Sequence, residues 1–418
     1  MLLASLLITF KLKFIQFRKI PTMFALLFHP QREGEQTVKS RHALFAAMST
    51  TLGLSTIVAP VIAIRLGGPG VVVGFLLSSF LGAALNFVEV KSAIAYREVK
   101  DDHVRGGPMG YLSKLFSPLL ARWYAFFGAL LMLVWSAAQA NQLSAMLSSP
   151  LLGALAIPKF VSGGMLALLV TLILVGGIKR IGRFSSKLVP VMFFLYTGAS
   201  LWIIGANASQ LPAVFHEIID SCFHAKAFGT GAIIGGILSA FRWGVMKGLQ
   251  GSEAGIGTQT FPHSMAETKN PDHQAILSMV STYTAGLLLL LSSLVTLLTG
   301  SWLDATLPLG ISMVAASFQS YFSYFGLLIV AVSTLLFAFG TILGNSFNGS
   351  QCFLYLTRYR GIKFFYFLAA ALVLFGSMVD VTKLWSGIDY VLALMMVPHV
   401  LALVALSFRK SRSEVLAL

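Results

Sequence analysis

Long apolar stretches alternate with short connections rich in glycine, polar or basic residues along almost the whole chain. A helix that crosses a bilayer needs about 20 mostly apolar residues. Ten segments meet that need: residues 43–64, 70–95, 119–147, 160–177, 188–206, 227–247, 274–299, 324–345, 362–380 and 384–408, numbered spans 1 to 10. The opening run MLLASLLITF is apolar but too short to span. A secretory signal carries its positive charge before the apolar run, whereas Lys11, Lys13, Arg18 and Lys19 follow this one. The expectation is a short, partly inserted N-terminal helix. An interfacial stretch follows to residue 28, with Phe14, Phe17, Met23 and Phe24 among the basic residues.

Composition strengthens this reading. The chain has 418 residues, 56% hydrophobic and 11% charged, against about 25% charged in ordinary soluble domains. That excludes a compact soluble enzyme and a disordered chain. Thirty Lys and Arg face fifteen Asp and Glu, and their placement gives the excess its meaning. With residues 11–42 inside and strict alternation, the inside loops collect most of the basic residues. They include Lys179, Arg180, Arg183 and Lys187, and also Lys247 and Lys269. The outside loops hold only Arg65, Lys159, Lys226 and Lys383. By the positive-inside rule both termini are cytoplasmic, in a multi-pass protein of the inner membrane. The charge orients the chain in lipid and forms no concentrated face for nucleic acid.

Candidate enzyme chemistry is sparse. Cys222 and Cys352 fall on opposite sides, and neither cysteine nor histidine shows metal-ligand spacing. Gly67–Gly70 and Gly106–Pro108 read as tight connections, because no Lys-Ser/Thr pair follows as in a phosphate loop. No nucleophile motif is present, so neither enzymatic activity nor an organic cofactor is expected.

Ten spans divide into two sets of five, and an odd number per half inserts the halves in opposite orientations. Such inverted repeats hold substrate near the midplane between interrupted helices. The chain then divides into an N-terminal segment 1–42, repeats 43–206 and 207–408, and a tail 409–418. The first helix of each half should be discontinuous. Span 1 carries Ser49-Thr50-Thr51-Leu52-Gly53-Leu54-Ser55-Thr56 before Pro60, a weakly helical run with room for a ligand at Gly53. Span 6 carries Gly229 and Gly231, with Gly235 and Gly236 following. Close helix packing is the competing account of those glycines.

Several motifs carry a resemblance over essentially the whole chain: IAIRLGGPG, NFVEVKSAIAYREV, RGGPMGYL, GIKRIGRFSSKLVPV, GSEAGIGTQTFPHS, LLFAFGTILGNSFNGSQCFLYL and LWSGIDYVLALMMVPHV. Together they resemble the alanine/glycine:cation symporter family. The resemblance implies a leucine-transporter-type fold of five plus five helices behind an extra N-terminal helix. It also implies sodium- or proton-driven uptake of small neutral amino acids. The chain departs from the family at informative positions. The family's G-x-G-N-I-A-G-V becomes Gly53-Leu54-Ser55-Thr56-Ile57-Val58-Ala59-Pro60. The family's S-N-E-A-G becomes Gly251-Ser252-Glu253-Ala254-Gly255. A hydroxyl pair and downstream Trp in span 8 become Gly340-Thr341 and Asn345, and Pro-Asn in span 10 becomes Pro398-His399.

A zwitterionic ligand needs every charge hydrogen-bonded once it leaves water. Free amides at a half-helix N-terminus suit its carboxylate. Gly53, Ser55, Thr56, Gly229 and Gly231 are therefore candidate substrate contacts, joined by Gln139, Thr341 and Asn345. By resemblance Gln139 faces the substrate, while Asn141, about 200° around the helix, is expected to bond between helices. Asn345 in place of a bulky aromatic predicts a roomier, more polar pocket and a larger or more polar amino acid. By resemblance to the wider fold, sodium would lie between spans 1 and 8. Its ligands would be the carbonyls of Ser49, Leu52 and Phe337 and the Thr341 hydroxyl, with one oxygen lost at Gly340. Glu89 reads either as an interfacial or paired charge or as a proton-coupling or gate residue. Asp389 reads as an outer-gate or helix-start contact, and Glu253 as a cap or inner gate. Arg242 is a possible partner of Glu253. The sequence leads to cation-coupled uptake by alternating access. Amino-acid exchange and substrate sensing without transport remain open as alternatives.

Overall fold

A computed structural model describes residues 1–29, 38–100, 103–174, 177–223, 233–268 and 270–408. Among the described residues the fold is helical apart from one ribbon and an isolated bridge between Val38 and Ala266. Helix α1 (Leu2–Lys11) precedes α2 (Ser40–Thr51) and α3 (Leu54–Gly67), which share span 1, and then α4 (Val71–Ala95). Strands β1 (Glu98–Lys100) and β2 (His103–Arg105) pair antiparallel with Val99 opposite Val104. Next come α5 (Pro108–Leu115), α6 (Pro118–Leu147), α7 (Lys159–Leu174), α8 (Gly177–Ala206), α9 (Ile233–Ser252) and α10 (Thr260–Ser264). The chain continues through α11 (Pro271–Thr299), α12 (Tyr324–Leu356), α13 (Ile362–Gly376) and α14 (Val381–Phe408).

Described helices fall in each of the ten predicted ranges, with residues 175–176 and 227–232 outside the described residues, and among the described residues seven are long and apolar enough to cross a membrane, α2 and α3 counting as one. In lipid every backbone group must find a partner inside the protein, which favours helices and makes their ends matter. The Ser117 hydroxyl accepts the Leu119 amide at 3.0 Å and starts α6. The Asn270 side chain accepts the Asp272 amide at 2.9 Å and starts α11. Helix α12 packs along α6, and α4 packs between α9 and α11. Helix α1 docks on α4 and α14 while keeping Leu3 and Phe10 exposed toward lipid.

Three readings from the sequence change here. Lys247 is not in an inside loop. It lies in α9, 5% exposed, bonded to Gln250 at 3.0 Å and paired with Asp389 at 3.5 Å. Glu89 is not a snorkelled interfacial charge, because it is fully buried, with His399 of α14 at 3.8 Å. Span 6 stays helical through Gly235 and Gly236 to Ser252, and its described interruption lies later, at Glu253–Gln259. Gly229 and Gly231 fall outside the described residues, as does the Arg242 side chain.

Candidate functional site

Span 1 breaks at two residues. Leu52 has φ −85°, ψ 67° and Gly53 has φ −102°, ψ −176°, so the chain extends between α2 and α3. The break exposes the amides at the start of α3. Gln139 of α6 accepts the Leu54 amide at 3.0 Å, so its side chain acts as a cap from a neighbouring helix. The Gly53 carbonyl accepts both the Thr56 amide at 3.0 Å and the Thr56 hydroxyl at 2.7 Å. Among the described residues, the Gly53 and Ser55 amides make no hydrogen bond within the protein. Ser55 is also the residue of this stretch that is only half-buried. Asn141 points away and donates to Gly376 and Val379 carbonyls at 2.9 and 2.7 Å, the interhelical bond its spacing implied.

Helix α12 closes the other side. Thr341 donates to the Ser49 carbonyl at 3.0 Å, and a Cβ on Gly53 would stand 2.7 Å from the Thr341 hydroxyl. A Cβ on Gly340 would lie 3.8 Å from the same Ser49 carbonyl. A hydroxyl at position 340 would therefore flank this oxygen, and its absence thins any oxygen shell built there. Leu52 and Phe337 are fully buried nearby in the sequence of the same two helices. One turn past Thr341, Asn345 is fully buried with neither amide atom hydrogen-bonded. A buried amide without partners is costly, so this position suits a polar ligand or water.

The second break faces the first. Glu253, Gly255 and Gly257 take φ of 53°, 82° and 88°. Glycine is required at 257, because a Cβ there would meet Pro108, Tyr124 and His399 at 2.7–2.9 Å as well as strain the backbone. Tyr124 donates to the Ile256 carbonyl at 2.7 Å, and His399 meets the Gly255 carbonyl at 2.9 Å. The Glu253 carboxylate accepts from Thr50 at 3.1 Å and Thr258 at 2.6 Å, tying the two broken helices together. The sequence reading placed Glu253 at an inner end. The E-A-G-I-G spacing of two glycines was the signal for an unwound segment. His399, seen only as a departure from the family, also belongs to this segment.

Two broken helices, packed so that an unwound stretch of one is bonded to the other inside a bundle of membrane-length helices, define a secondary transporter of the leucine-transporter type. Among the described residues no group of three His, Cys, Asp or Glu could hold a metal ion. The chain belongs to the sodium:alanine symporter family, whose model matches residues 1–413. It is 30% identical over 412 residues to the sodium/alanine symporter AgcS of Methanococcus maripaludis, covering 96% of this chain and 89% of the relative. It is 29% identical over 411 residues to the "Probable sodium/glutamine symporter GlnT" of Bacillus subtilis, covering 96% and 83%. Its fold resembles MhsT in complex with L-phenylalanine, with TM-score 0.65, 14% identity and 92% of each chain covered. The family is one of cation-coupled amino-acid transporters, not enzymes.

Proposed function

We propose that this protein imports a small neutral amino acid by alternating access, driven by a cation gradient, with both termini on the cytoplasmic side of the inner membrane. The substrate carboxylate binds the Gly53 and Ser55 amides at the start of α3, where the helix dipole favours an anion. Thr56 helps hold the Gly53 turn, and Gln139 fixes the helix start from α6. Thr341 and Asn345 line the side-chain end of the site, with Gly229 and Gly231 as contacts from the second repeat. Repeats 43–206 and 207–408 each supply one broken helix. A sodium ion, as co-substrate, would take the carbonyls of Ser49, Leu52 and Phe337 and the Thr341 hydroxyl.

The observation that carries this reading is the apposition of the Gly53 break to Thr341. AgcS and GlnT are named for alanine and glutamine, and the buried, unpaired Asn345 favours a larger or more polar substrate than alanine. The test is uptake into liposomes with a full amino-acid panel, with and without an imposed sodium gradient. Accumulation that needs the gradient is expected. Uptake only against internal amino acid would make the protein an exchanger, a reading that Gly340 favours. Binding without flux would make it a sensor.

A further inference from the structure

We propose that Glu89 of α4 and His399 of α14 form a proton-binding pair, and that its proton is a coupling cation of this carrier. This rests on the transport reading above.

Glu89 is fully buried, and among the described residues neither carboxylate oxygen makes a hydrogen bond of ordinary geometry. The Gly255 backbone and the His399 ring face it, with Nδ1 of His399 at 3.8 Å. His399 is itself 1% exposed and spans two partners: Nδ1 lies 2.9 Å from the Gly255 carbonyl and Nε2 lies 2.5 Å from the Tyr111 hydroxyl. A carbonyl can only accept, so Nδ1 carries a hydrogen here and Nε2 of the neutral ring accepts from Tyr111. A second proton on the ring would need only a turn of the Tyr111 hydroxyl, which can accept as well as donate.

The other ionisable groups on the elements around Glu89 do not neutralise it. Glu253 has the same sign and is held by Thr50 and Thr258. Lys91, two residues on and turned away, pairs with Asp272 of α11 at 2.7 Å. Lys247 of α9 is engaged with Gln250 and Asp389. His263 of α10 bonds Gln274, Tyr283 of α11 bonds the Gln16 carbonyl, and Lys11 of α1 lies over Phe408. Tyr124 of α6 is spent on Ile256, and Cys352 of α12 is buried. The pair is therefore neutral with one proton and carries an unpaired negative charge without it. An intramembrane charge with no counter-charge is strongly disfavoured, so this arrangement favours the loaded pair.

The location makes the proton a coupling ion and not a bystander. His399 and Tyr124 hold consecutive carbonyls of the unwound segment, and the same segment reaches α2 through Glu253 and Thr50. Loading the pair thus favours one arrangement of both broken helices, which is coupling in the linkage sense. In each cycle one proton passes from water on the outer side to the pair and from the pair to water inside. With a zwitterionic substrate, one positive charge crosses. The thinned oxygen shell at Gly340 is an independent reason for a cation other than sodium to contribute.

The test uses the full-length protein in sodium-free liposomes loaded with pyranine and clamped at zero potential. The probe is a radiolabelled mixture of neutral L-amino acids. The wild type should acidify the lumen as the mixture enters, and one unit of pH gradient should support about tenfold accumulation. Glu89→Gln should lose both signals. His399→Asn, which keeps a donor for the Gly255 carbonyl but cannot titrate, should lose the pH dependence of uptake and so separates proton binding from folding. Uptake that appears only when sodium is added outside and brings no lumen acidification, or an unchanged pH profile in His399→Asn, overturns the proposal. Absence of any uptake or counterflow in the wild type, with sodium restored on both sides as well as without it, would instead overturn the transport reading itself.

Discussion

Replacing Gly53 with alanine tests whether the first break is held open by its contact with α12. The backbone at Gly53, with φ −102° and ψ −176°, is one that alanine adopts freely, so no backbone strain is involved. If the position were open, the substitution would stabilise slightly by restricting the unfolded chain. It is not open: the new Cβ would stand 2.7 Å from the Thr341 hydroxyl and 3.2 Å from its methyl, where ordinary contact begins near 3.4 Å. Moving Thr341 aside would also break its 3.0 Å bond to the Ser49 carbonyl. Overpacking and the lost bond together predict a destabilisation of about 2–4 kcal/mol, and loss of uptake. Thr341→Ala removes both clashing atoms, so adding it to Gly53→Ala should recover about 1 kcal/mol or more relative to additive behaviour. It should not restore uptake, because the hydroxyl is gone. Thermal denaturation of the four purified proteins, with uptake alongside, reads both effects. A Gly53→Ala protein matching the wild type in both, or a strictly additive double mutant, would refute the contact-based reasoning.

Gln139→Leu leaves the buried Leu54 amide without its 3.0 Å acceptor and should lower stability by about 1–3 kcal/mol, visible as a lowered denaturation midpoint. Gly340→Ser places a hydroxyl beside the Ser49 carbonyl if Leu188, 3.0 Å from the new Cβ, shifts slightly. Its uptake should depend more steeply on sodium, and an unchanged sodium titration would count against a cation site between α2 and α12. Asn345→Leu should narrow the substrate range toward alanine, read by competition with serine, asparagine and glutamine, because it removes the unpaired amide. Asp272→Asn withdraws the charge 2.7 Å from Lys91, which is 4% exposed. Because Asp272 is itself 37% exposed, leaving that ammonium without its partner should cost about 1–3 kcal/mol, measured as a lowered denaturation midpoint in detergent.

Much of the site was legible because parts of it are local. The Ser49–Thr56 run is weakly helical in itself and carries Gly53 near its middle, so the first break follows from a few adjacent residues. Thr341 and the missing hydroxyl at Gly340 could be placed because they share one turn of one helix. The break read at Gly229 and Gly231 in span 6 lies outside the described residues, and the later one at Glu253–Gln259 was missed because glycine content alone does not distinguish a helix packed closely on its neighbour from one that unwinds. Left-handed backbone at Glu253, Gly255 and Gly257 makes that distinction. Gln139 was expected to face substrate. Its amide oxygen caps α3, a contact between residues 85 positions apart that periodicity cannot register.

The sequence by itself determined that the chain is a multi-pass membrane protein and which of its stretches are apolar enough to form helices there. The bilayer makes these properties local, because each span must be apolar and must satisfy its own backbone. It also determined the first break and the family. Only the tertiary structure decided which polar groups meet in the interior: Thr50 with Glu253, Thr341 with the Ser49 carbonyl, and His399 beside Glu89 and Gly255. Those pairings join residues hundreds of positions apart. Their worth depends on the absence of water around them, which is a property of the packed bundle and of no single helix.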